Sequence, residues 1–236
     1  TAAGVDDDGP PTAGNRAARR LTAGLLATID QPYPVAMAAL SRAAPTAVLP
    51  DSPAALAGLV ALHGGDPGRA RTLLDRAGTS DPLFGHRHRL LRGWLKMQDG
   101  QLRAAAAETA GSGTLHRRDA LWSAALQTAI ARRSGDSGAL HQHWSAAMDV
   151  LTEYSVDLFS LLPLGELWVA AARLHQVDRV RHAVDQGFAV LATLGNPALW
   201  SVPLHWAGVH AGILAGEPDA VAPHGQALTE IGRAHV

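Results

Sequence analysis

The chain has 236 residues, 47% of them apolar, so it can bury a sizeable core without disulfides or a structural metal. A formal net charge of -1 leaves no surplus of cations to neutralise phosphates and argues against a nucleic-acid footprint, and the absence of cysteine excludes disulfides and thiolate metal sites. There is no run of roughly 18 apolar residues and no basic-then-apolar leader, so neither a membrane span nor export by that route is expected, and the expected location is cytoplasmic.

Residues 1–14 are small, acidic and proline-bearing, with Asp6 to Asp8 as a solvated run, and read as a linker cut from something longer. Lys96 is the single lysine among 20 basic residues, and with heavy alanine, glycine and proline usage this suggests a high-GC genome. Residues 15–50, interrupted by Pro32, Pro34 and Pro45, predict capping helices. From residue 51 to 236, alanine and leucine recur at three- and four-residue spacing while β-strand alternation never persists, so the chain is read as nearly all helix. Four helix starts carry a polar residue before proline: Ser52-Pro53, Asp66-Pro67, Asp81-Pro82 and Asn196-Pro197.

Five turns share one pattern, a small or polar loop ahead of an alanine- or leucine-rich helix: Gly64-Gly65-Asp66, Gln98-Asp99-Gly100, Ser134-Gly135-Asp136, His175-Gln176-Val177 and Gly216-Glu217-Pro218. Their spacing drifts from about 34 to about 41 residues, the period of helical-hairpin repeats. In the first hairpin Gly58 lets two helices approach, with Ala70 and Ala77 at the tight positions, a pattern that resembles the tetratricopeptide (TPR) repeat. In the next unit Arg92 replaces the small residue. The predicted fold is an all-α, TPR-like helical-hairpin solenoid with an inner groove.

Several chemical signatures dissolve on inspection. Gly135-Asp136-Ser137-Gly138 spells a protease-like tetrapeptide but falls on a hairpin turn, and Lys96 lacks the glycines and hydroxyl of a phosphate loop. Among twelve histidines, His86 and His88, like His141 and His143, are two residues apart and point to opposite sides of a helix, so neither pair chelates one ion locally. No metal or other cofactor is expected, and with no nucleophile, base and orienter at convincing spacing, neither is enzymatic activity.

The six tryptophans recur once or twice per hairpin. Trp94, Trp144 and Trp168 are assigned to packing, whereas for Trp122 and Trp206 core and groove readings stand even. Counting back from each turn selects the side chains on the groove face. These are His86, Arg89 and Lys96, then Trp122, Arg132 and Arg133, then Gly165 and Arg173, and last Trp206 and His210, with Asp119, Glu166 and Trp200 beside them. The mixture suits a polyhydroxylated ligand such as a disaccharide or oligosaccharide. Trp122 and Trp206 would stack, Asp119 and Glu166 would accept hydroxyl protons, and His86, Arg89, Arg173 and His210 would donate. The alternative is a protein-interaction scaffold whose groove holds a peptide or partner helix, with Arg89, Lys96, Arg132 and Arg133 facing an anionic end.

The stretch from Pro53 to Ile231, with GGDPGRARTLLDRAG and GELWVAAARLHQVDRVRHAV as its most telling pieces, resembles the repeat-bearing sensor region of large actinobacterial LuxR-type regulators, similar in plan to the maltose regulator MalT. The resemblance implies an ATPase switch domain before the repeats and a helix-turn-helix DNA-binding domain after them. It also implies a small inducer, often an oligosaccharide such as trehalose or a maltose-type sugar, received by the repeats themselves, with no nucleic acid touching this fragment.

Overall fold

The computed structural model describes residues 13–41, 52–78, 83–109 and 116–233. Within them the chain is all-helical, with twelve α-helices, one short 3-10 helix and no strand. The first pair is α1 (Ala13–Asp30) and α2 (Tyr33–Ser41), with Pro34 in the first turn of α2; Pro45 and nearly all of the linker lie outside the described residues. Then come α3 (Pro53–His63), α4 (Pro67–Ala77), α5 (Gly85–Gln98), α6 (Leu102–Thr109), α7 (Arg117–Ser134) and α8 (Ser137–Thr152). The 3-10 helix Leu158–Ser160 precedes α9 (Leu161–Arg173), α10 (Asp178–Thr193), α11 (Ala198–Ala215) and α12 (Pro218–Arg233). Among the described residues no helix is long and apolar enough to cross a membrane.

The helix starts follow from side-chain chemistry. Ser52 Oγ accepts the Ala55 amide hydrogen at 3.2 Å and Asp66 accepts that of Arg69 at 3.0 Å, each satisfying a donor that has no partner inside the helix. Asp136 caps α8 in the same way, at 2.9 Å from the Ala139 nitrogen. Asp81-Pro82 lies outside the described residues. Asn196 departs from expectation: it takes a left-handed φ of 54°, gives its amide hydrogen to the Leu191 carbonyl at 2.8 Å, and so closes α10 instead of capping α11. Asparagine tolerates this backbone region better than most residues, which makes it as good a stop as a start.

At each of the five turns one residue is left-handed. Gly65, Gly100, Gly135 and Gly216 serve in four of them, and His175 at φ 56° in the fifth. A left-handed residue reverses the chain within two or three positions, so each helix lies back on its predecessor: α3 on α4, α5 on α6, α7 on α8, α9 on α10 and α11 on α12. The first helices of these pairs also touch in sequence, α3 to α5, α5 to α7, α7 to α9 and α9 to α11. Finally α11 reaches both α3 and α1, so the two ends of the row meet.

Small residues set the closest approaches. A Cβ on Gly58 would lie 3.3 Å from Leu74, and Ala70 opposite is fully buried. In the second pair the small residue is Gly93, where a Cβ would come within 2.9 Å of Leu126. The expectation that Arg92 stands at this position is therefore one residue out of register. Arg92 instead forms ion pairs, reaching Asp75 at 3.3 Å and Glu108 at 3.9 Å.

Polar contacts repeat at the same interval along the chain. Arg87 pairs with Asp119, Arg132 with Glu166 and Trp144 with Gln176, separations of 32, 34 and 32 residues. Each links one hairpin to the next, at separations equal to or a little below the shortest spacing of the turns.

Candidate functional site

The inner side chains of the first helices converge on one another. His63 from α3 lies 4.6 Å from the Trp200 ring and 6.2 Å from that of Trp122, Trp94 meets Trp122 edge-on at 4.8 Å, and Phe159 meets Trp200 at 5.6 Å. Trp94, Trp122 and Trp200 are almost completely buried, and each indole N–H is satisfied. Trp94 donates to the Trp122 carbonyl at 3.2 Å, Trp122 to the Phe159 carbonyl at 2.9 Å, and Trp200 to Thr28 Oγ at 3.0 Å. The last bond joins residues 172 positions apart and ties α1 to α11. Edge-on indoles with satisfied N–H groups form a packed core that leaves no face open for stacking.

This arrangement decides where the eight predicted ligand residues stand. Trp122 is in the core, with its ring faces covered. Asp119 at the start of α7 is closed by Arg87, whose Nε and Nη2 donate to its two carboxylate oxygens at 2.8 and 3.1 Å. His86 lies half-buried nearby, where burial lowers its basicity against the pull of Asp119, and Arg89 is half-buried on the same helix. Glu166 accepts from Arg132 at 2.9 Å and from Arg133 at 2.6 and 2.8 Å. Asp119 and Arg132 sit near opposite ends of α7, thirteen residues and hence about 20 Å apart along the axis. Asp119 and Glu166 therefore do not share one disaccharide. Arg173 is exposed at the end of α9, and Trp206 and His210 stand together on α11 with ring centres 5.9 Å apart. Among the other tryptophans, Trp144 is buried and Trp168 packs on Phe188 and His224.

Of the eight, Trp206 alone lines a half-open hollow of about 640 Å3 where the ends of the row meet. One wall is the bend from α1 into α2, from Thr28 to Tyr33, and the floor is the end of α3 with its turn, Leu62 to Gly65. The opposite wall comes from α11, through Leu199, Val202, Pro203 and Trp206, with Leu162 and Ile231 completing it. The lining is mainly apolar, with its polar groups at the bend and at His63. A volume of this order accommodates a small organic ligand. Trp206 is 51% exposed and forms the rim.

Sequence reasoning missed this site because its walls come from opposite ends of the chain. The one local sign is within α11: Leu199, Val202 and Trp206 recur at helical spacing around Pro203, an apolar face interrupted by a residue that breaks the helix ladder.

His63 is the buried titratable group of the cavity. Its Nδ1 donates to the Leu59 carbonyl at 2.9 Å, which leaves Nε2 as the unprotonated nitrogen, buried and without a partner. Burial holds its pKa down to about 4, with the Leu59 bond acting weakly in the opposite sense. Burial also lowers His205 and His224, which face each other between α11 and α12 with Nδ1 atoms 3.1 Å apart; for His205 the second imidazole adds to the effect.

In the unfolded chain such histidines titrate near 6.5, so below that value the unfolded state binds more protons and stability falls with pH. For His63 alone the loss is about 2 kcal/mol between pH 7.5 and pH 5. Urea unfolding at the two pH values measures it, and His63→Phe should remove that share of the pH dependence. Equal stability of the wild type at both values would contradict a neutral, buried His63.

Comparison with models of known families, with characterised proteins and with solved structures gives no match. The functional argument therefore rests on this geometry and on the chemistry of its residues.

Proposed function

We propose that this chain is the small-molecule-sensing part of a cytoplasmic transcription regulator of the LuxR type, with its hairpins wound as a TPR-like solenoid and its ligand held in the cavity beneath Trp206. The observation that carries the reading is the position of that cavity across the seam between the ends of the row. A ligand there touches the α1–α2 bend, the end of α3 and α11 at once, and so binds the closed arrangement better than any arrangement in which the ends part. That difference in affinity is what a neighbouring ATPase domain could read, and a helix-turn-helix domain could pass to DNA.

The resemblance to MalT-like regulators, and more narrowly to the mycobacterial regulator of isoniazid-inducible genes, supports a sugar such as trehalose or a maltose-type oligosaccharide. Trp206 offers a stacking face, and Asp30 and Gln31 at the bend offer partners for hydroxyls. Catalysis finds no support in the carboxylates, since Asp119 and Glu166 are each closed by arginine.

Calorimetric titration of the chain with a panel of neutral sugars and of small amphipathic compounds tests the reading. At least one should bind, and Trp206→Ala should weaken it by about tenfold or more, the effect of removing a stacked aromatic. Binding unaffected by that substitution would place the ligand elsewhere. A second reading, a scaffold for a partner helix, draws on the exposed apolar stripe Trp206, Ile213 and Leu214 along α11. The basic face it also requires is weakened, because Lys96 is paired with Glu108, and Arg132 and Arg133 with Glu166.

A further inference from the structure

Thr28, Asp30, His63 and Leu199 all line the cavity, and each stands four positions ahead of a proline: Pro32, Pro34, Pro67 and Pro203. Proline has no amide hydrogen, so none of these carbonyls receives one from the fourth residue on. Two of the helices concerned end here, α1 with the Gln31 amide on the Ala27 carbonyl and α3 with the Gly64 amide on the Val60 carbonyl. A helix C-terminus carries a partial negative charge, and both of these lie in the cavity wall. The exposed carboxylate of Asp30 adds a full negative charge at the rim.

Little in the lining offsets this. It holds no arginine or lysine, and burial keeps the pKa of His63 at about 4, so that ring is neutral at pH 7. The start of α11 at Ala198 is an opposing pole of partial charge only. Asp66, which takes the Tyr33 phenol hydrogen at 3.1 Å, is offset by Arg69 at 3.9 Å, and Arg233 is exposed two residues beyond Ile231, outside the lining. The Gln31 amide and the Trp206 indole N–H are neutral donors, and Gln31 brings a carbonyl oxygen as well. The hollow is therefore negative at the α1–α2 bend and apolar along α11. A positive charge at the rim is drawn by that field through space, without touching the buried oxygens, and an anion is repelled by it. We propose that the cavity takes an amphipathic cation, an amine or quaternary ammonium whose apolar body lies against Trp206 and the α11 wall while its charged head sits at the bend beside Asp30. The inference rests on the cavity being the ligand site, and it ranks cations there above neutral sugars and above anions.

Calorimetric titration of the chain at pH 7 with 2-(aminomethyl)naphthalene, 2-naphthalenemethanol and 2-naphthoate decides it, since the three share one apolar body and are cationic, neutral and anionic in turn. At low ionic strength the amine should bind about fivefold tighter than the alcohol, and the naphthoate weaker than the alcohol. Added salt should narrow the spread, because the charges act at an exposed rim. Asp30→Asn, a change at an exposed side chain, should bring the amine to within about twofold of the alcohol. Equal affinity for all three, lost in Trp206→Ala, would overturn the charge rule while leaving the cavity as the receptor site. An amine preference undiminished in Asp30→Asn would overturn the role of Asp30, and tightest binding of the naphthoate would overturn the proposal outright. Absence of binding by these compounds and by the sugars alike would end both proposals.

Discussion

Trp122→Ala should lower the free energy of unfolding by about 4 kcal/mol, the scale of deleting a large aromatic from a core that cannot collapse around the gap. The side chain is 2% exposed, packs edge-on against Trp94 within reach of His63, and donates its N–H to the Phe159 carbonyl. Its loss empties the point at which α3, α5 and α7 meet and leaves a buried carbonyl without its donor. Trp206→Ala is the internal control. With its ring 51% exposed, that change should alter stability by less than about 0.5 kcal/mol while weakening ligand binding. Urea unfolding of both variants checks the contrast, and comparable mild effects would remove Trp122 from the core.

Glu166→Gln should cost about 3 kcal/mol, because it withdraws the charge that two arginines share. Glu166 takes hydrogen bonds from Arg132 and Arg133, and the pair holds the end of α7 against α9. Burial by itself would raise its pKa, but the hydrogen bonds and charges of Arg133 and then Arg132 outweigh burial and hold it below the ordinary carboxylate value. A carboxylate lowered by folding contributes stability above its unfolded pKa, near 4.3, and loses that contribution as pH falls through the folded value. The wild type should therefore shed this stability only below about pH 4, and Glu166→Gln should show a correspondingly shallower acid transition. Urea unfolding from pH 7 to pH 3 reads both effects. A variant as stable as the wild type at pH 7 would reduce the network to a surface ornament.

The sequence by itself determined the helices and their turns. Polar caps at Ser52 and Asp66 and left-handed turn residues at Gly65, Gly100, Gly135 and Gly216 act over three or four positions, and that chemistry is complete within the local chain. Asn196 shows the limit of such signals, since the same side chain can open one helix or end another. On α7 the inward face was also legible, because Trp122 looks toward its neighbours in other hairpins, whereas Arg173 on α9 and Trp206 and His210 on α11, expected on the same inner face, are exposed. Whether an inward tryptophan meets a ligand or more protein was decided only when the ends of the row came together. The Trp200–Thr28 bond spans 172 residues, and no local pattern encodes a contact over that distance. Closure packed Trp200 against His63, beside the Trp94–Trp122 pair, and left the hollow at the seam, so the tertiary structure alone placed the cavity between Trp206 and His63. The physical reason is that periodicity records which side of a helix avoids water, whereas a cavity is the space that several such sides fail to fill.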